Sequence, residues 1–88
     1  MTTLTTLPTF HLNGTSAESI FYEYHNAMKI AESLRSAVAN TTCNQRDFYP
    51  QSDEAWHDAK FERAEIFAKI DDIVEYLSAW AEHANNNH

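Results

Sequence analysis

The sequence predicts an all-α protein: an antiparallel two-helix hairpin with an extended N-terminal arm, dimerising into a four-helix bundle. Three observations predict it. Between residues 52 and 84, Trp56, Ala59, Arg63, Ile66, Ile70, Ile73, Leu77, Trp80 and Ala84 recur at alternating steps of three and four, the spacing of one stripe on an α-helix. A second stripe, Ile20, Tyr24, Ala27, Ala31, Leu34 and Val38, repeats the pattern earlier in the chain. One glycine and two prolines in 88 residues leave too few turn formers for a multi-stranded sheet.

In chain order, residues 1–14 form the arm. They are threonine-rich and broken by Pro8, which disfavours a helix, yet Leu4, Leu7, Phe10 and Leu12 are apolar, and at least Phe10 and Leu12 should dock on the body of the protein. The first helix is expected over residues 15–40, with Thr15 as N-cap and Glu18 closing a capping box. Phe21 and Met28 flank its stripe, and two central alanines let a partner helix approach closely. Residues 41–51 form a loop in which Asn44, Asp47 and Pro50 favour turns. The second helix is expected over residues 52–84, capped by Ser52, with Asp53 and Glu54 in the first turn where the helix dipole favours negative charge. Phe67, Val74 and Ala81 widen its stripe. Residues 85–88 form a frayed tail. Because the second helix is longer, it is expected to overhang the start of the first by roughly two turns around Leu77, Trp80 and Ala84, with Leu7, Phe10 and Leu12 folding over Trp80.

A single domain of this size buries only a marginal core alone, and each stripe is wider than one neighbour covers. Two hairpins related by a two-fold axis close the core most simply.

Thirteen acids against six bases give a net charge of −7. That field opposes binding to nucleic acid or an anionic membrane surface and attracts a basic protein surface. One cysteine, Cys43, excludes an internal disulfide and a thiolate zinc cluster. The N-terminus lacks the basic start and apolar core of a signal peptide, so a cytoplasmic location is expected, and two matches to the glycosylation pattern, at Asn13 and Asn40, carry no weight without secretion.

Four residues are the candidates for binding. Arg63 stands on the second stripe where its neighbours are apolar, and a charge there needs a partner. It is either an anion-binding residue, a register-setting pair with Glu23, Glu32 or Asp47, or a stem reaching for the surface. Arg46, Asp47 and Tyr49 lie in the polar and aromatic loop 44–51, either as a recognition patch, for which Arg and Tyr are well suited, or as groups satisfying the loop itself while Phe48 plugs the bundle end. Glu54 and His57 have the Glu-x-x-His spacing of carboxylate-bridged metal sites, but the motif occurs once, and a solvated face explains it. His25 reads as a surface or interface residue, and His83 and His88 offer at most weak metal affinity. No catalytic or nucleotide-binding signature is present, and neither a cofactor nor a metal is expected.

The segments HLNGTS before the first helix and NQRDFYPQ before the second resemble those of a group of small helical-hairpin proteins associated with bacteriophage genomes and related mobile elements. The resemblance spans residues 10–84 and implies a fold and a phage setting, without an activity. Together with size and charge it suggests a non-enzymatic interaction protein acting in the host cytoplasm. Such a protein would bind or inhibit a host protein, for example a defence complex such as a CRISPR effector. The alternative is an oligomeric sponge holding a phosphate-bearing signal molecule through Arg46, Arg63 and Tyr49. An enzyme using Glu54 and His57 on a metal ranks third.

Overall fold

The computed structural model describes residues 5–87; Leu4 and His88 lie outside them. It is all-helical, with helix α1 (Ala17–Ala39), a 3-10 turn (Gln45–Phe48) and helix α2 (Asp53–Asn85). The two helices pack against each other, and no strand occurs among the described residues.

Register follows from cross-helix contacts. Tyr24 stacks on Trp80 with ring centroids 4.6 Å apart. Arg35 donates from Nε to Asp71 at 2.7 Å, and Arg63 donates to the carbonyl of Val38 at 3.1 Å. Each step forward on α1 is therefore a step back on α2, as an antiparallel pair requires. The buried seam consists of Ala17, Ala31, Ile70, Ala81 and Ala84. Small residues let the backbones approach, and Ile70 is the one large side chain buried among them.

This register corrects the expected overhang. Trp80 is level with Tyr24, inside α1, while the surplus length of α2 projects at the loop end. The cause is the connection. Thirteen residues, 40–52, do not turn back tightly but run along the first turns of α2, where Phe48 meets Trp56 at 5.6 Å. A tight hairpin turn would have forced the surplus to the other end.

The N-cap of α1 is also corrected. Ser16, one residue beyond the expected Thr15, accepts from the Ser19 amide at 3.1 Å, and its hydroxyl donates to Ser19 Oγ at 3.0 Å. The turn closed by the Gly14 amide on the His11 carbonyl at 3.1 Å precedes it, and Ser16 takes the extended backbone of an N-cap (φ −66°, ψ 151°). Ser52 caps α2, accepting from the Ala55 amide at 3.3 Å. At the far end α2 continues through Asn85, and Asn87 Nδ2 donates to the His83 carbonyl at 2.7 Å.

The molecule is thin. Its extents are 62 × 23 × 17 Å and its radius of gyration 18.4 Å, against about 12 Å for a compact 88-residue domain. Its accessible surface is 6641 Å², against about 5,300 Å² for a globular monomer of this mass. Ile66, Ile73 and Leu34, all on the stripes read from the sequence, remain exposed. Each stripe is wider than the single helix it faces.

Candidate interaction surfaces

Arg63 is held by oxygens at the end of α1. Its Nη1 donates to Thr41 Oγ1 at 2.9 Å, and Nη2 lies within 3.3 Å of the carbonyls of Val38, Ala39 and Thr41. The Val38 carbonyl also accepts from the Thr41 amide at 3.0 Å and the Thr41 hydroxyl at 2.6 Å, and α1 carries no base in its last turn. Arg63 supplies the missing positive charge from the other helix, where the dipole of α1 favours it. The guanidinium lies 5.4 Å from the Phe67 ring centroid. The expected carboxylate partners Glu23, Glu32 and Asp47 are replaced by this cap, because the connection brings the carbonyls of residues 38–41 to the level of Arg63.

The structure gathers Arg46, Asp47 and Tyr49 on and beside one 3-10 turn, with all three side chains exposed. The turn satisfies its own backbone: the Asp47 amide donates to Asn44, Tyr49 to Arg46 and Gln51 to Phe48. Phe48 is the half-buried member and packs on Trp56. Arg63 is turned to the 38–41 carbonyls and is not part of this exposed group. Glu54 and His57 are exposed on the projecting start of α2. Among the described residues no three His, Cys, Asp or Glu side chains converge to hold a metal ion, and no helix is long and apolar enough to cross a membrane.

Several contacts lay outside the sequence reading. Arg35 and Asp71 form an ion pair with both side chains about half exposed, and the Arg35 guanidinium sits 5.0 Å above the Phe67 ring. Asp71 was visible as one acid among many; only the register singles it out. At the other end of the rod, His83 Nε2 donates to the Pro8 carbonyl at 2.8 Å, and Phe10 stacks on the His83 ring at 5.4 Å. Leu12, expected to dock, is fully exposed. It comes two residues after Phe10, which is seated on His83, and lies in the turn that precedes α1. Trp80 is covered by Tyr24, and its indole nitrogen is buried without a hydrogen-bond partner among the described residues.

The Tyr24 phenol titrates above its ordinary value of about 10. Burial is the main cause, followed by the neighbouring Tyr76 hydroxyl and then Glu23. The fold thus favours the neutral phenol. Its contribution to stability is complete below the unfolded value and is lost as pH rises through the higher folded one. Thermal melts from about pH 8 to 11 should show an alkaline decline that Tyr24→Phe reduces. An unchanged decline in that variant would place the responsible group elsewhere.

One surface stands out for its charge. Helix α2 carries nine acids and three bases, so six of the seven net negative charges reside on it. On the side turned away from α1, Glu54, Asp58, Phe61, Glu65 and Asp72 recur at steps of four, three, four and seven, and all are exposed. An aromatic ring, 66% exposed, therefore stands within a row of carboxylates. No protein-family model, curated protein or solved structure matches the chain.

Proposed function

We propose that this protein is a non-enzymatic interaction protein, working as a homodimer of helical hairpins, whose acidic outer surface on α2 occupies a basic surface of another protein. The observation that carries this reading is the exposed row Glu54, Asp58, Phe61, Glu65 and Asp72. Carboxylates steer a basic partner and set its register, and an exposed aromatic ring is the type of residue that anchors such contacts. The row spans about 27 Å, at ~1.5 Å per residue, enough to follow a basic groove or helix. The homodimer is supported by the thin shape and surplus surface, and the N-terminal arm, seated on His83 through Pro8 and Phe10, serves as a strap at one pole. The resemblance of the HLNGTS and NQRDFYPQ segments suggests a phage-encoded protein acting on a host component such as a defence complex.

The phosphate-sponge alternative loses support at Arg63, whose donors are already engaged by carbonyls. The test is affinity capture from bacterial lysate at low and moderate salt, with wild type beside Phe61→Ala and a Glu54, Asp58, Glu65→Gln triple variant. The reading expects a specific basic protein that wild type retains and both variants lose, with retention weakening as salt rises. Equal recovery by all three, or no specific protein, counts against it.

A further inference from the structure

We propose that the broad face of the hairpin bearing Ile30, Leu34, Ile66 and Ile73 is the seam on which a second copy of this chain docks. The proposal rests on the dimeric reading above and deepens it by assigning the face. With the helices antiparallel and in the register set by Arg35–Asp71 and Tyr24–Trp80, these four side chains lie on the same side of the rod within a stretch of about 15 Å, at ~1.5 Å per residue. Ile66 and Ile73 are one heptad apart on α2, and Ile30 and Leu34 one turn apart on α1. Their exposures are 62% for Ile30, 50% for Leu34, 44% for Ile66 and 49% for Ile73. Contiguous aliphatic surface of this kind marks a contact site.

The two broad faces of the hairpin are not equivalent. The opposite one is finished within the chain, since Arg35 bridges to Asp71 at 2.7 Å and covers Phe67. The arm cannot finish the aliphatic face either, because Pro8 and Phe10 are seated on His83 at the end of the rod. A second copy fits on area. The surface of 6641 Å² exceeds the globular expectation by roughly 1,300 Å², and a standard interface removes about 800 Å² from each partner. A two-fold axis through the aliphatic patch makes it self-complementary, as an isologous interface demands. The acidic outer surface of α2 then stays free on both copies.

The experiment is sedimentation equilibrium of the full chain with two variants. Wild type should have twice the chain mass. Leu34→Glu combined with Ile66→Glu should raise the dimer dissociation constant roughly a hundredfold or more, while Phe61→Glu, on the outer surface, should leave it unchanged. A double variant that stays dimeric like wild type overturns the face assignment and leaves the dimer standing. A wild type that is monomeric at all concentrations overturns both. Should the double variant lose helicity by circular dichroism, the wild-type melting temperature decides: a rise with protein concentration that Ile66→Ala weakens supports the seam, and independence of concentration overturns it.

Discussion

Replacing Ile70 by Ala should lower stability by about 3 kcal/mol, within the usual cost of truncating a buried Ile. At 5% exposure it is the largest side chain in a buried seam otherwise made of alanines. Its loss leaves a space that the neighbouring alanines of the seam are too small to fill. For a domain of this size the melting temperature should fall by roughly 12–24 °C, at about 4–8 °C per kcal/mol, and the same change should appear as a lower urea midpoint with little change in slope. Phe61→Ala is the comparison. Phe61 is exposed on the outer surface, so its truncation should change stability by no more than about 0.5 kcal/mol. Equal losses in the two variants would mean that Ile70 is not the centre of the hairpin.

The second large effect is expected at Arg63. Arg63→Met retains the stem beside Phe67 but removes the donors to Thr41 Oγ1 and to the carbonyls of Val38, Ala39 and Thr41. A charged donor to a neutral acceptor contributes about 1.5–3 kcal/mol, and water can reach most of these oxygens, so a loss of about 2 kcal/mol is expected. Arg63→Lys should recover less than half, since a point-like ammonium cannot serve four oxygens spread around a fork. Amide exchange should quicken at residues 38–41, where the last turn of α1 loses its cap, before it quickens elsewhere. The difference should also persist at about 1 M salt, where exposed ion pairs are screened within ~3 Å. A Met variant as stable as wild type would show that α1 ends without help from α2.

Both residues illustrate what the sequence could express. The three-and-four spacing identified the helices and placed Ile70 on the buried side, because helical periodicity is a local property. Arg63 is recognisable as a charge in an apolar stripe, and the sequence offers it an anion, a carboxylate or the surface, but not carbonyls. Backbone carbonyls have no letter in a sequence, and only the path of residues 40–52 brings them to Arg63. The same path moved the overhang from the Trp80 end to the loop end and left Tyr24 as the cover of Trp80. Thr15 and Ser16 are neighbouring residues of similar capping strength, and the sequence pattern alone does not choose between them. The loop candidates Arg46, Asp47 and Tyr49 were legible as a polar and aromatic group, and they do share one exposed turn. The row on the outer side of α2 emerges only when its acids are placed on one face of the helix, because net charge sums them without regard to position.

The alanine-lined seam has a calorimetric consequence. Heat capacity on unfolding follows the apolar surface newly wetted, and a hairpin whose only buried residues among those described are four alanines and Ile70, with its larger apolar side chains half-covered, has comparatively little to wet. An isolated chain should fall below the roughly 1.1–1.3 kcal/mol/K typical of 88 residues, giving a shallow stability curve and a broad melt. Association through aliphatic side chains adds to the surface wetted on unfolding. The sharpness of the transition, followed across protein concentration, is therefore a measure of how much of the core is built between chains.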